Sequence, residues 1–419
     1  MMKLRHYAIS IPILLPLLLS GCMGEPSEEL RTEPAARNVT EQVIPTSLPI
    51  NPYAVEEDEV CISAVGDIMV HESQWLSQQV GPDTYDFTEN FAQVKEIFTS
   101  DDLSIANLET TINEDKAIAT YPRFNSPDAL LDALDDAGFD LIGTANNHSM
   151  DTGMDGILST IAELEERNLP YFGTHRNPDA EKYLIKQIKG MTIGFAAFST
   201  AYVQGNSVVI NNIQSNGMEK HVNYMDLIHA DNAFHTLKPV IDAMKENGAE
   251  FIVLSLHWGN EYEKSANAYQ KTLAQMLIDE GVGLILGSHP HMVQEMEFLT
   301  SSVGAHEGLV IYSMGNFLSN QRNEILNMTG TEDGVISRVI LKKGPDHIIG
   351  IRSAEFIPTW VSRTEYGEYF RYEILPIDVD PSSTAARYSA DEESLTESLM
   401  NTLRAIDSTR VKQLYLNHE

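Results

Sequence analysis

An α/β sandwich is the fold class this sequence predicts, and two observations predict it. Short apolar runs of β type alternate with helical patterns along most of the chain, and six of those runs end in unusual polar residues. The first run is Val60 to Val65, closed by Gly66, with Cys61 as a small buried residue. Further runs follow at Leu103 to Ala106, Phe139 to Ala145, Ile193 to Phe198, Phe251 to Leu256, Gly283 to Leu286 and Leu309 to Tyr312.

Ordinary helix signals separate many of these strands. Ser126-Pro127 opens a helix over Asp128 to Ala137 ahead of Gly138, Met154 to Arg167 carries its apolar residues on one face, and Ala266 to Glu280 stops at Gly281. Past about Asn320, Gly334 to Leu341 and Ile349 to Ile357 read as strands, and residues 322–379 are expected to complete the domain. Residues 380–419 form a polar tail with a candidate amphipathic helix from Ser394 to Ile406. No internal repeat appears.

Ahead of the folded part lies an export signal. Lys3, Arg5 and His6 precede an apolar run from Ala8 to Leu19, which ends at Leu19-Ser20-Gly21-Cys22. A membrane span needs about 20 apolar residues, and this run is shorter and broken by Pro12 and Pro16. The expectation is a lipoprotein signal peptide over residues 1–21, with lipid on Cys22 and the protein tethered to the membrane outside the cytoplasm. An uncleaved N-terminal anchor is the alternative. Residues 22–58, rich in Glu, Pro, Thr and Ser, read as a solvated tether.

With Cys22 lipidated only Cys61 remains, so no disulfide forms within the mature chain and stability rests on the core. The 42% apolar and 8% aromatic content is that of a globular protein. Net charge is −33 and becomes −35 when Lys3 and Arg5 leave with the signal peptide. Nucleic acid is therefore not an expected partner, and an anionic membrane surface is a poor one.

The chemistry is expected where the strands end, because ligands of α/β folds collect at the carboxyl ends of strands. Those ends read Gly66-Asp67-Ile68-Met69, Asn107-Leu108-Glu109, Asn146-Asn147-His148-Ser149-Met150-Asp151, His257-Trp258-Gly259, Gly287-Ser288-His289-Pro290-His291, and Ser313-Met314-Gly315-Asn316-Phe317. Taken singly each has a bland reading: Asp67 ends a strand, Asn147 occupies a turn, His257 is a hydrogen-bonded core residue. Jointly, acceptor-bearing residues recurring after successive strands point to one divalent-metal site of mixed nitrogen and oxygen ligands. A bend at Pro290 would let His289 and His291 serve two adjacent ions. The other histidines, His71 among them, read as surface residues.

As an ordered set these markers resemble the CapA family of poly-γ-glutamate capsule synthesis, over about Val60 to Gln321. The resemblance implies a metallophosphatase-like four-layer α/β/β/α sandwich with its core in residues 59–321. It further implies that Asp67 and His291 hold one ion and that Asn147, His257 and His289 hold another, with Glu109 bridging. The ions would be Mn, Fe, Zn or Mg. His148 would be the general acid, oriented by Asp151, and Asn107, Arg123 and Asn316 are the candidate substrate contacts. Met69 departs from the ordinary phosphatase pattern, standing where Asp-x-His would place a histidine. Three expectations follow for function: a lipid-anchored partner of the poly-γ-glutamate ligase and export proteins, a surface phosphoesterase, or a non-catalytic envelope scaffold.

Overall fold

The computed structural model describes residues 53–414 and Leu416; the signal peptide, Cys22 and the tether as far as residue 52 lie outside the described residues. Strand residues alternate between two apolar environments. In Glu59–Ile68, Val60, Ile62 and Ala64 enter one core, while Val65 and Ile68 enter another. In Phe251–His257, Phe251 and Val253 enter the first of these cores, and Ile252, Leu254 and Leu256 a third. Successive side chains of a strand point to opposite faces, so sheets apolar on both faces must be covered on both sides.

Two sheets packed face to face, each with helices outside, satisfy that demand. The first has the order Tyr369–Pro376, Ile349–Tyr366, Asp333–Lys343, Glu59–Ile68, Leu103–Leu108, Leu141–Gly143, Tyr171–Phe172. The second runs Ile213–Gln214, Ser207–Ile210, Met191–Gln204, Phe251–His257, Leu284–Ser288, Glu307–Ile311, Met296–Thr300. Phe91, Phe98, Leu130 and Leu134 cover the outside of the first sheet, and Leu237, Ile241, Leu273 and Leu277 that of the second. This is the four-layer α/β/β/α sandwich. Among the described residues no helix is long and apolar enough to cross a membrane.

The central strands of both sheets are parallel: Glu59–Ile68 with Leu103–Leu108 and Leu141–Gly143, and Phe251–His257 with Leu284–Ser288 and Glu307–Ile311. Their carboxyl ends carry the marked polar residues. Two glycines let these ends press against the Tyr312–Phe317 segment. A Cβ on Gly66 would stand 2.0 Å from the Gly315 carbonyl oxygen, and one on Gly287 would stand 2.0 Å from that of Tyr312.

Three regions differ from the sequence expectation. The helix Ala230–Glu246 is masked in the sequence by Pro239 in its interior, yet its Ala233, Leu237, Ile241 and Met244 are buried. Tyr53 is already part of the fold, not of a solvated tether: its side chain is buried, its carbonyl accepts from Arg338 Nη2 at 2.7 Å, and the Arg338 guanidinium lies over its ring. Past residue 380 the expected helix is present as Glu392–Ile406, and the chain adds a helix Pro381–Tyr388 and a strand Val411–Gln413 paired with Ile349–Tyr366. Leu395 and Leu399 pack on Trp360, Leu375 and Ile377, so an apolar stripe docks what reads as a polar tail.

Candidate metal centre

Asp67 is the last buried acid of the first strand, and its neighbours come from several other strand ends. Asn107 Nδ2 donates to Asp67 Oδ1 at 2.8 Å, the His289 backbone N–H to Asp67 Oδ2 at 3.2 Å, and His291 Nδ1 lies 3.0 Å from the same oxygen. His291 Nδ1 also meets Asn316 Oδ1 at 3.1 Å, and Asn316 is fixed in turn by donating to the Thr331 carbonyl. With Nδ1 engaged, His291 presents Nε2 toward Glu109 Oε1 at 3.9 Å.

His257 is arranged in the same way. Its Nδ1 meets Ser288 Oγ at 3.2 Å, while Nε2 faces Asn147 Oδ1 at 2.8 Å, His289 Nδ1 at 3.1 Å and Glu109 Oε1 at 3.5 Å. An imidazole held at one nitrogen by an outer partner, with the other turned toward the remaining donor atoms, is the usual arrangement of a metal-binding histidine.

Two groups of donor atoms are close enough to hold an ion, Glu109 with His289 and His291, and Asp67 with Glu109 and His257. Glu109 belongs to both. It is fully buried, and among the described residues no donor group meets either of its carboxylate oxygens within hydrogen-bond geometry. A buried carboxylate left without donors is costly in its charged form. Fit of the residues to divalent cations rests on this pair of orphaned oxygens.

Electrostatics divide the two acids. Burial alone would raise Asp67, but the hydrogen bond and charge of His291, with His257 behind it, hold its carboxyl well below the ordinary range. Burial, reinforced by the charge of Asp67, pushes Glu109 well above its ordinary value. His257 is held far down by burial and then by His289, and His289 is held down at about 3 by burial and then by His291. Both imidazoles are thus neutral at pH 7, the form that binds metal.

Backbone strain gathers on the same loop. His289 has φ 98° and His291 φ 56°, the left-handed region that non-glycine residues seldom adopt. Such strain costs on the order of 1–3 kcal/mol per residue and clusters at functional sites. It also resolves the geometric problem of His-Pro-His: the bend at this segment turns both rings toward Glu109.

His148 stands beside the donor cluster. Its Nδ1 lies 2.6 Å from Asp151 Oδ2, which also accepts the Phe124 backbone N–H at 2.6 Å, and its Nε2 is 3.9 Å from Glu109 Oε1. With Nδ1–H donated to Asp151, Nε2 faces the centre. Asn211, at a hairpin tip where both Asn211 and Asn212 have positive φ, approaches His148 Nδ1 at 3.4 Å.

The family model described as "Bacterial capsule synthesis protein PGA_cap" matches residues 61–321, more than half of the chain. The chain belongs to this family. It is 28% identical over 293 residues to the "PGA biosynthesis protein CapA" of Bacillus subtilis (strain 168), covering 68% of this chain and 69% of that one. To the "Capsule biosynthesis protein CapA" of Bacillus anthracis it is 25% identical over 355 residues, covering 83% and 75%. Among solved structures, the Haemophilus influenzae NAD nucleotidase (NadN) aligns with TM-score 0.45 at 14% identity, over 86% of this chain and 65% of that one. Every residue that converges on Glu109 lies inside the span matched by the family.

Arg123 does not join the cluster: it is exposed on the turn after the Tyr121-Pro122 bond, while its neighbour Phe124 is buried. Phe124 packs edge-on against His148 with ring centroids 4.7 Å apart, and against His71 at 5.2 Å. His71 is a correction to the sequence reading, which puts it on the surface. It is half-buried, burial lowers its imidazole to about 4, and its Nδ1 accepts the Asn320 backbone N–H at 3.2 Å. Its distance of four residues from Asp67 was the only sign of it in the sequence. A cavity of about 840 Å³ opens beyond the histidine loop between Met292, Met296, Asp333, Asn401 and Ile406, and none of the converging donors lines it.

Proposed function

We propose that this chain is a lipid-anchored, extracytoplasmic component of poly-γ-glutamate capsule synthesis or export that carries two divalent ions in its sandwich. The carrying observation is Glu109, buried, unpartnered and common to both donor groups. Asp67, Asn147, His257, His289 and His291 would complete the ligands, with Mn, Fe, Zn and Mg as the candidate ions. When bound, the ions would supply Lewis-acid polarisation of a substrate oxygen. Asp151 holds the His148 ring, and His148 Nε2 is the atom that would pass a proton to a leaving group.

Membership of the capsule synthesis family supports the cellular role, and the signal at Leu19-Ser20-Gly21-Cys22 supports attachment through lipid on Cys22. The poly-γ-glutamate ligase and export proteins are the proposed partners; an acidic chain of net charge −33 is not one for nucleic acid. A second reading, a surface phosphoesterase, draws on the His148–Asp151 pair at 2.6 Å. Deleting the gene in a polymer-producing strain tests the first reading. Polymer should be lost and should return with the wild-type gene, and Cys22→Ser should move the protein out of the membrane fraction. Normal polymer after deletion contradicts the reading.

A further inference from the structure

Tyr262 lies five residues beyond His257, in a loop that folds back over the second histidine pair. Its backbone N–H donates to the Pro290 carbonyl at 2.7 Å, so it is tied to the residue between His289 and His291. Its ring stands 6.0 Å from the His291 ring at an interplanar angle of 45°. Its φ is 65°, a conformation that a large aromatic residue adopts only when the surroundings impose it. Three strained non-glycine residues, His289, His291 and Tyr262, therefore lie within one contact network.

The strain has a result at the side chain. Tyr262 is half-buried, and among the described residues no hydrogen-bond partner meets its hydroxyl. That hydroxyl is not among the buried orphaned atoms, so it is open to a ligand. Burial and then the charge of Glu261 act most on this phenol, with Tyr121 and the Glu109 carboxylate behind them, and the ring contact with His291 sets it beside the donor cluster. A phenol is a neutral donor at physiological pH, suited to an oxyanion.

We propose that the Tyr262 hydroxyl donates a hydrogen bond to an anionic oxygen group, phosphate or carboxylate, of the substrate bound at the metal centre. The inference rests on the metal-site reading above and adds a substrate contact to it. Arg123, exposed on its turn, is not needed for that role.

The test uses the full chain loaded with Mn²⁺, as wild type and as Tyr262→Phe. Metal per chain and thermal midpoint are measured first, then binding of inorganic phosphate and of a γ-linked glutamate oligomer by calorimetry. The expected result is unchanged metal and midpoint with binding of at least one probe weakened about tenfold or more, the scale of a hydrogen bond to a charged group. Weakening for phosphate alone assigns the contact to a phosphoryl group, and weakening for the oligomer alone assigns it to a carboxylate. Equal affinities in the two proteins, no binding of either probe to metal-loaded wild type, or loss of metal in Tyr262→Phe would each overturn the assignment while leaving the metal site standing. A wild-type chain that takes up no metal would remove the metal-site reading and this inference with it.

Discussion

His291 Nδ1 lies 3.0 Å from Asp67 Oδ2 across a separation of 224 residues. The contact joins the carboxyl end of the first strand of one sheet to the loop after Leu284–Ser288 of the other, so a site that needs both residues exists only when the sandwich is closed. It also accounts for the low position of the Asp67 carboxyl, which burial alone would raise. Asp67→Asn keeps the shape and removes the charge. Metal affinity, measured by competition with a chelating dye, should fall by about 10- to 100-fold or more, the range for changes at or next to metal ligands. An unchanged affinity would remove Asp67 from the centre.

On the proposed reading His148 has a different task from the ligands, because a proton donor is needed for turnover and not for holding an ion. His148→Gln should retain bound metal. If the centre hydrolyses an ester, turnover of generic phosphate mono- and diesters should fall by roughly 10² to 10⁴. Asp151→Asn should lower it as well, since the 2.6 Å contact that holds the ring is weakened. Polymer yield in complemented cells is the second readout: a loss with Glu109→Ala but none with His148→Gln would favour a scaffold role.

Much of the centre is legible in sequence because each strand ends in its own acceptor-bearing residue, and a parallel sheet places those ends side by side. Asp67, Asn107, Glu109, His257 and Asn316 stand at or just past such strand ends, and all lie within the cluster. Other residues arrive by routes that leave little local pattern. His71 enters through the Asn320 backbone N–H and the Phe124 ring, a contact spanning 249 residues. Asn211 is carried in on a hairpin tip, and Tyr262 is held by a backbone bond to Pro290. Of the C-terminal helices, the second is legible as an amphipathic pattern from Ser394 to Ile406, whereas its docking and the helix Pro381–Tyr388 are not. Their exposed faces are polar enough to resemble a tail, and only the stripe containing Leu395, Leu399 and Ile406 is buried.

Asp333 offers a pH test away from the metal centre. It is fully buried at the start of Asp333–Lys343 and receives Asn401 Nδ2 at 3.2 Å; burial raises its carboxyl from 3.8 to about 6. A group whose folded value is raised contributes stability that is fully present below the unfolded value and is lost as pH rises through the folded one. The window here runs from pH 3.8 to about 6, and at 1.36 kcal/mol per unit the loss is about 3 kcal/mol. Denaturant melts of wild type and Asp333→Asn at pH 4 and pH 7.5 should show wild type losing stability relative to the variant by this order. Parallel changes in the two proteins would show that Asp333 does not titrate in that window.

The central claim is that Glu109 is buried without a hydrogen-bond partner because divalent metal is its partner, and metal analysis of purified wild type and Glu109→Gln tests it most directly. Wild type incubated with Mn²⁺, Fe²⁺ or Zn²⁺ and then desalted should retain metal, two ions per chain, and Glu109→Gln should retain less. Without metal the order of stability should reverse. The raised Glu109 value takes stability from the metal-free wild type as pH climbs above its unfolded value, so metal-free Glu109→Gln should be the more stable protein at pH 8 and lose that advantage below about pH 4.5. Wild type that retains no metal, or equal metal in both proteins, would contradict the account.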